Sequence, residues 1–322
     1  MVPTQPTFTI FTPTRDRANT LPRVFASLAA QTYPDFEWLV VDDGSTDGTP
    51  ALLEHWRTDQ PAFPIRVIRK ESSEGKFEAM RTAVEAAHGR FFLTLDSDDA
   101  CVPDALERLL NAWESIPEDE RDGFSAVTGL CVDDRGELVG TRFPHDPTDS
   151  NSLEIRYRHR VIGEKWGFQR TDVLRTAMAA ASRIPGFVPE GYVWDAIART
   201  HRTRYINEAL RIYHRDQTDR LSEPADLRRV AEGSVIRYAA LLNEDLGWFR
   251  FAPKDFWYQA AIFTRLSLHA GHSIGRQWGA LRSRSRLLWL AALPAGIGLY
   301  LMDMIGIRKL VLAARRRAAN NR

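Results

Sequence analysis

Three carboxylates stand together directly after a short apolar run. Residues 91–95 are Phe-Phe-Leu-Thr-Leu, and Asp96, Asp98 and Asp99 follow them. A short apolar run bounded by polar residues predicts a buried strand, and open α/β sheets bind ligands beyond the carboxyl ends of their strands. Clustered carboxylates repel one another, and Mg²⁺ or Mn²⁺ is a counter-charge that prefers oxygen ligands. By itself the pattern is also typical of a solvated acidic loop.

A second acidic segment strengthens the first. Residues 36–41, Phe-Glu-Trp-Leu-Val-Val, predict a second strand, and Asp42 and Asp43 follow it in a turn-rich loop. Acids that end two strands of one parallel sheet converge on one crevice. The sequence therefore predicts a polar site at this edge of the sheet.

The elements around these acids alternate between strand and helix. Predicted strands at 7–12, 36–41, 65–68 and 91–95, rich in β-branched and aromatic residues, alternate with segments of helical spacing, and Pro13 is expected to end the first strand. This rhythm predicts an α/β fold with a doubly wound, mostly parallel sheet. The chain has neither a Gly-x-Gly-x-x-Gly segment after the first strand nor a Gly-Lys-Ser/Thr loop, which disfavours dinucleotide and P-loop sites.

The rest of the chain is less regular. Residues 124–142 predict a β pair with a turn at Asp133–Gly136, residues 165–168 a short extended segment, and residues 203–206 and 209–213 two strands. From residue 223 onward the pattern is helical. We expect a catalytic domain over 1–222 and a helical region over 223–322.

Several of these motifs, in this order, resemble family 2 glycosyltransferases. The resemblance is carried by Pro13-Thr14 with Arg17, by the Val41–Thr49 segment, by Gly75-Lys76 and by Leu95–Asp99. It implies a GT-A fold that binds a nucleotide-sugar donor, expected to be UDP-linked, with Mg²⁺ or Mn²⁺. It also implies sugar transfer with inversion to a glycan or lipid-linked acceptor.

The resemblance also implies roles for individual residues. Asp98 would be the metal ligand. The residues expected at the nucleotide-sugar are Thr12, Pro13, Arg17, Asp42, Asp43, Lys76 and Asp96. The chain departs from the family pattern at Arg15-Asp16, where Tyr-Asn is common, and at Arg81, where Asn is common.

An inverting transfer needs a general base from another segment. Glu190 lies in a Pro/Gly-bounded loop before a helix, and Asp195 lies one turn into that helix. We favour Glu190 as the base and keep Asp195 as the second candidate. Each also has a structural interpretation, Glu190 as a charge at a helix N-terminus and Asp195 as a residue on a solvated helix face.

Four other residues have weaker candidate roles. His214 and Arg220 are cations that could reach a diphosphate, although both also fit an ordinary surface. Trp166 could stack on a sugar, or it could pack in the core. Asp99 is expected to cap the following helix.

The charge of the chain is unevenly distributed. Residues 276–322 carry ten basic residues and one acid, a net charge of +9, and since the whole chain carries +1, the first 275 residues carry −8. Residues 287–302 are uncharged, but Pro294, Gly296 and Gly298 are expected to break a helix there. We expect an interfacial or re-entrant anchor on the inner face of the membrane. The alternative is a buried helical hairpin.

Composition and motifs exclude some classes of protein. Two cysteines without metal-type spacing fit a reducing cytosol, and the N-terminus lacks the pattern of a signal peptide. The expected location is cytoplasmic, peripheral on the cytoplasmic side of the cell membrane.

No nucleic-acid-binding module is recognisable. Two alternatives remain, a nucleotidyltransferase that forms nucleotide-sugars and a catalytically silent membrane-bound scaffold.

Overall fold

The computed structural model describes residues 5–59, 62–184, 188–214 and 227–305. Within these ranges the chain forms one mixed sheet of nine strands. The strands are β1 (Phe8–Thr14), β2 (Phe36–Asp42), β3 (Ile65–Arg69), β4 (Phe91–Thr94), β5 (Ala100–Cys101), β6 (Phe124–Asp133), β7 (Thr148–Ser150), β8 (Lys165–Arg170) and β9 (Arg202–Tyr213).

Eleven α-helices accompany the sheet in the described part of the chain. They are α1 (Leu21–Ala29), α2 (Thr49–Thr58), α3 (Lys76–Ala86), α4 (Ala105–Glu114), α5 (Ser152–Tyr157), α6 (Thr171–Ala181), α7 (Glu190–Ala198), α8 (Leu227–Glu244), α9 (Pro253–His269), α10 (Ile274–Ala280) and α11 (Ser283–Met304). The chain divides into two compact units, residues 1–181 with 193–221, and residues 182–192 with 222–322.

The first unit contains the sheet, whose strand order is β3-β2-β1-β4-β8-β6-β9-β5, with β7 beside β9. The strands β3, β2, β1 and β4 are parallel, and β8 lies antiparallel between β4 and β6. The predicted α/β fold with a doubly wound sheet is therefore confirmed. The sheet is mixed because β8 runs antiparallel to β4 and β6, and because β5 and β7 run antiparallel to β9.

Apolar side chains explain why these segments form buried strands. Phe8, Trp38, Phe91 and Phe168 lie in one continuous core, and each is at most 4% exposed. Burial of large aromatic side chains is a dominant stabilising contribution in a core of this kind. Glu37 is a buried charged residue within β2, and it accepts hydrogen bonds from Thr9 Oγ1 (2.6 Å) and Arg66 Nη1 (2.9 Å).

Three predictions about strands are corrected. Strand β1 continues through Pro13 to Thr14. Proline has no N–H to donate, but the pairing of β1 with β4 ends at Phe11, so a proline at position 13 loses no hydrogen bond on the β4 side. The segment 202–213 is one strand rather than two. The β pair predicted over 124–142 is instead the single strand β6. After its turn the chain returns only briefly, in an isolated bridge of Leu138 to Val132 and a hydrogen bond from the Val139 N–H to the Cys131 carbonyl.

The second unit is helical in its described residues. Its predicted apolar segment is the helix α11, which runs without interruption from Ser283 to Met304 and so corrects the expected break at Pro294. Proline removes the hydrogen bond to the carbonyl four residues earlier, here that of Leu290, which lies on the exposed side. Gly296 packs closely on α9, where an added Cβ would lie 2.6 Å from the carbonyl oxygen of Ala261.

Candidate active site

The acidic motif lies where the strand order of the sheet reverses. From β1 the chain proceeds outward through β2 to β3, and then returns to place β4 on the other side of β1. The carboxyl ends of β1 and β4 are therefore followed by loops that diverge, which opens the crevice where α/β sheets bind ligands. Arg17 follows β1 and Asp96 follows β4.

Asp96 is held between two cations. Lys76 Nζ at the start of α3 lies 2.7 Å from Asp96 Oδ1, and Arg211 Nη2 on β9 lies 3.0 Å from Oδ2. Burial would raise the pKa of Asp96, but the charges of Lys76 and Arg211 outweigh it and hold the pKa below its usual value. Asp96 is thus an ionised, positioned carboxylate.

Asp98 is in a different electrostatic situation. Burial and the charge of Asp96 raise the pKa of Asp98 above its usual value, and Arg17 and Arg211 offset only part of the increase. Its backbone carbonyl accepts a hydrogen bond from Arg23 Nη1 at 2.8 Å, which fixes the loop. Unlike Asp96, whose charge two cations stabilise, Asp98 is therefore a carboxylate whose charged form an added cation would stabilise.

Asp99 belongs to the support of this loop. Its Oδ2 accepts from Arg211 Nε at 2.8 Å, and its Oδ1 accepts from the backbone N–H of His214 at 3.0 Å. Asp99 is 1% exposed. The expectation that Asp99 caps the next helix is wrong, because Arg211 and His214 take its carboxylate and Asp104 is the N-cap residue of α4.

Asp43 fastens the loop before α3. It accepts hydrogen bonds from Ser73 Oγ (2.7 Å), from the Glu74 N–H (2.9 Å) and from the Gly75 N–H (2.8 Å). Burial alone would raise the pKa of Asp43, but these bonds outweigh it and lower the pKa. Gly44 then turns with φ +79°, a conformation that favours glycine, and passes so close to Ser72 that an added Cβ would lie 3.0 Å from its carbonyl carbon.

Asp42 is fully buried at the end of β2. Its Oδ1 accepts from the Ser45 N–H at 3.0 Å, and Arg69 Nε lies 3.7 Å from Oδ2. Within the described residues, neither Asp42 Oδ2 nor Thr14 Oγ1 has a hydrogen-bond partner, and Thr14 and Asp42 are in register across β1 and β2. Buried polar atoms without partners are uncommon and call for an explanation, and here two lie side by side at the crevice.

The residues predicted on and after β1 separate into two groups. Thr12 and Pro13 are buried within the strand, and the Thr12 hydroxyl accepts from Trp38 Nε1 at 2.9 Å. Arg17 follows the strand and acts electrostatically on Asp98. Asp16, where the family pattern has Asn, adopts φ +51°, and its Oδ1 accepts from the Thr46 N–H at 2.7 Å. Asp and Asn both tolerate this conformation, so Asp16 keeps the loop shape.

The other departure from the family pattern lies on a helix surface. Arg81 on α3 forms ion pairs with Glu78 and Glu85, each at 2.8 Å. These pairs follow the spacing of three and four residues that brings helical side chains together. The interactions of Arg81 are therefore those of helix stabilisation.

Glu190 and Asp195 differ in their surroundings. Asp195 is 1% exposed, and its Oδ1 lies 3.2 Å from Arg156 Nη1 of α5. Glu190 begins α7 and is partly exposed; none of the described residues forms a hydrogen bond or ion pair with its carboxylate. Asp195 is thus engaged in the fold, whereas the Glu190 carboxylate accepts no hydrogen bond from the part of the chain that the structure describes.

The weaker candidates are placed as follows. Trp166 is 4% exposed and its Nε1 donates to the carbonyl of Thr94 at 2.6 Å, which corrects the sugar-platform hypothesis in favour of core packing. His214 contributes its backbone N–H to Asp99. Arg220 lies outside the described residues.

Sequence reasoning missed Arg211, the residue that joins Asp96 to Asp99. A signal was available, because Arg211 is a charge inside the apolar segment 209–213. Charged residues in buried strands are nearly always paired. The identity of the partner acids could not be read from the sequence, since Arg211 and Asp99 are 112 residues apart.

Comparison with known proteins identifies the family. Residues 9–171, half of the chain, match the family described as Glycosyl transferase family 2. The chain belongs to glycosyl transferase family 2. The resemblance carried by the acidic motifs is therefore confirmed, and both motifs lie inside the matched segment.

Relatives of known name are similar over part of their length. The putative teichuronic acid biosynthesis glycosyltransferase TuaG of Bacillus subtilis is 33% identical over 159 residues, which are 49% of this chain and 60% of that protein. A PGL/p-HBAD biosynthesis glycosyltransferase of Mycobacterium bovis is 38% identical over 96 residues, 30% of this chain and 36% of that protein. The similar segments thus span less than two thirds of these family members.

Solved structures support the fold. The structure of S. aureus TarS 1–349 in complex with UDP-GlcNAc has a TM-score of 0.58 at 20% identity, covering 91% of this chain and 81% of that one. A second TarS 1–349 structure has a TM-score of 0.61 at 19% identity and covers 94% and 91%. This protein therefore shares the GT-A architecture of TarS.

Proposed function

We propose that this protein is a glycosyltransferase that moves a sugar from a nucleoside-diphosphate sugar to an acceptor hydroxyl, with inversion, in the synthesis of a cell-surface glycan. The observation that carries the proposal is the set of Asp96, Asp98, Lys76 and Arg17 at the strand-order reversal of a family 2 sheet. The named relatives that act in teichuronic acid and PGL/p-HBAD biosynthesis support the glycan part.

The donor would lie along the crevice between the ends of β1 and β4. Asp42 Oδ2 and Thr14 Oγ1, which have no hydrogen-bond partner among the described residues, suit the N–H groups of a nucleobase, since buried acceptors need donors. Lys76 and Arg17 supply positive charge for a diphosphate. The UDP-sugar in the TarS complex makes a UDP-linked donor our first choice.

The residues present fit a divalent cation. Asp98 is a carboxylate whose charge is destabilised by burial and by Asp96, and a cation would relieve both effects. The described residues contain no group of three or more His, Cys, Asp or Glu arranged as a metal cage. Mg²⁺ uses one or two carboxylates and completes its shell with phosphate and water oxygens, so Asp98 can serve as the protein ligand. Bound there, the cation would neutralise charge on the departing diphosphate.

Glu190 is the proposed general base. The acceptor hydroxyl loses its proton to the Glu190 carboxylate as its oxygen bonds to the anomeric carbon, and the bond from that carbon to the diphosphate oxygen breaks. The electron pair leaves with the nucleoside diphosphate, and attack from the opposite face inverts the configuration. A positioned carboxylate base contributes about 10²- to 10⁴-fold in rate.

A thermal-shift screen tests this function. We expect one nucleotide-sugar to raise the melting temperature in the presence of Mn²⁺ and much less in its absence, because a ligand of the native state stabilises it by mass action. A stabilising ligand that is a nucleoside triphosphate with a sugar phosphate would instead favour a nucleotidyltransferase. If neither donor class shifts the melting temperature or is turned over, the scaffold alternative gains and the proposal fails.

A further inference from the structure

Helix α11 presents two unlike faces. It is the one described helix that is long and apolar enough, by length and composition, to cross a membrane. The face buried in the second unit carries Ser285, Trp289, Gly296 and Asp303, which recur at helical spacing. The opposite face is exposed and apolar, whereas a helix in contact with water normally exposes its polar side.

The buried face makes polar contacts with α8 and α9. Ser285 Oγ donates to the carbonyl of Leu242 at 2.8 Å, and Trp289 Nε1 donates to Thr264 Oγ1 at 2.9 Å. Near the end of the helix, Asp303 accepts from the Arg265 guanidinium, with a distance of 3.1 Å from Nη2 to Oδ1. His269 Nε2 lies 3.0 Å from the other carboxylate oxygen. Specific polar contacts therefore fix which side of α11 faces inward.

The exposed face is an apolar stripe. It consists of Leu287, Leu290, Pro294, Leu301, Met304 and Ile305. These residues follow the three- and four-residue spacing of one helix side, over a length of about 27 Å at 1.5 Å per residue. Leu287 is 73% exposed and Ile305 is 66% exposed. A helix on the surface of a soluble domain usually shows the reverse pattern, with its polar side outward.

The neighbourhood of the stripe is aromatic and basic. Trp257 and Tyr258 of α9 are about half exposed and, with Leu288 and Lys254, line an apolar groove of about 540 Å³. Arg282 and Arg284 are exposed at the start of α11. Residues 246–305 hold seven basic and two acidic residues, a net charge of +5. Tryptophan, tyrosine and arginine beside apolar side chains are the composition of a membrane-interface surface.

We propose that this surface docks on an anionic lipid bilayer, with α11 lying in the plane of the interface rather than across the membrane. The polar contacts of the buried face hold α11 on α9, so only the outward stripe is available to enter the lipid. The positive charge around the stripe favours a lipid bilayer over a second copy of this chain as the binding partner. An anionic bilayer supplies the opposite charge, whereas a second copy would bring the same charge to the stripe.

Cosedimentation with vesicles tests the proposal on the full chain. We expect the protein to sediment with phosphatidylcholine vesicles that contain about 30% phosphatidylglycerol, and to bind pure phosphatidylcholine much less. Binding is expected to weaken in about 0.5 M salt because the charges are then screened. Quenching of tryptophan fluorescence by brominated lipid gives a second measurement that needs no variant.

Paired variants test whether vesicle binding depends on the stripe or on exposed apolar residues in general. Replacing Leu287 and Leu301 by Glu removes apolar contact from the stripe, and vesicle affinity is expected to fall at least about tenfold. The control is Ile162→Glu, the same kind of change at one residue that is 65% exposed in the first unit, and it is expected to bind as wild type. The proposal is overturned if wild type stays in the supernatant with anionic vesicles and shows no quenching. It is also overturned if Ile162→Glu loses as much affinity as the double variant, or if the double variant only converts a soluble dimer to a monomer.

Discussion

The Arg211 guanidinium on β9 lies against the carboxylate of Asp99, with 2.8 Å from Nε to Oδ2, and both residues are almost fully buried. The same guanidinium reaches Asp96 with Nη2. One side chain thus holds two acids of the motif on either side of Asp98. Because buried ion pairs depend on their geometry, Arg211 is a positioning residue for the proposed metal ligand.

The first prediction concerns that positioning. Arg211→Lys keeps the charge but loses the planar fork that reaches both acids, so the loop that carries Asp98 is less well positioned. Mn²⁺-dependent donor affinity is expected to fall about 10- to 100-fold, the range typical for groups that orient a metal site. Isothermal titration with donor and Mn²⁺ measures the effect.

Arg204 on the same strand provides the matched control. It is also buried, and its Nε and Nη2 contact Asp149 at 2.8 and 2.6 Å. Arg204→Lys is expected to disturb a similar ion pair and leave donor affinity unchanged. Equal losses in the two variants would show that Arg211 contributes only to general stability.

The second prediction separates Glu190 from Asp195. Glu190→Gln is expected to lower turnover by about 10²- to 10⁴-fold while donor binding is retained. Asp195→Asn, which weakens the contact with Arg156, is expected to lower the free energy of unfolding by about 1–3 kcal/mol. Steady-state kinetics and urea unfolding of both variants measure the two effects. Near-normal turnover in Glu190→Gln would transfer the role of the base to another residue.

The third prediction concerns pH and stability away from the site. Burial would raise the pKa of Glu37, but hydrogen bonds from Thr9, the His88 N–H and Arg66 outweigh it and lower the pKa below the ordinary value of 4.5. A carboxyl with a lowered folded-state pKa stabilises the fold above its unfolded-state pKa, and this stability is lost as pH falls through the folded-state value. Glu37→Gln is expected to lower stability at neutral pH and to reduce the decline toward acid.

Urea unfolding from about pH 7 to about pH 3 measures this dependence. Donor affinity at neutral pH serves as the control, because Glu37 contacts β1, β3 and the segment before β4 rather than the motif acids. If the free energy of unfolding falls with pH in parallel for wild type and Glu37→Gln, the ionisation of Glu37 is not the cause of the decline.

The sequence predicts the first four strands well because each is a local run rich in β-branched and aromatic residues that ends in polar residues. It fails where distant pairing decides the structure. The central position of β8 depends on Phe168 pairing with both Leu93 and Val127, which no local pattern contains. The contact between Arg211 and Asp99 is of the same non-local kind. At Pro294 the rule that proline breaks a helix does not hold. The hydrogen bond lost there lies on the exposed side of α11, and the opposite side is packed on α9.

The fourth prediction concerns Asp98, the proposed metal ligand. Because burial and Asp96 raise its pKa, the charged form is disfavoured in the folded protein. Asp98→Asn is therefore expected to fold at least as stably as wild type at neutral pH while losing activity. The matched control is Asp134→Asn, at an exposed turn residue, which is expected to change neither property.

The most direct measurement is release of nucleoside diphosphate from the donor found in the thermal-shift screen, with and without Mn²⁺. Wild type and Asp134→Asn are expected to release it only when Mn²⁺ is present, and Asp98→Asn is expected to be slower by at least about 100-fold. Mn²⁺-dependent release by Asp98→Asn at the wild-type rate would contradict the assignment of Asp98 as the metal ligand.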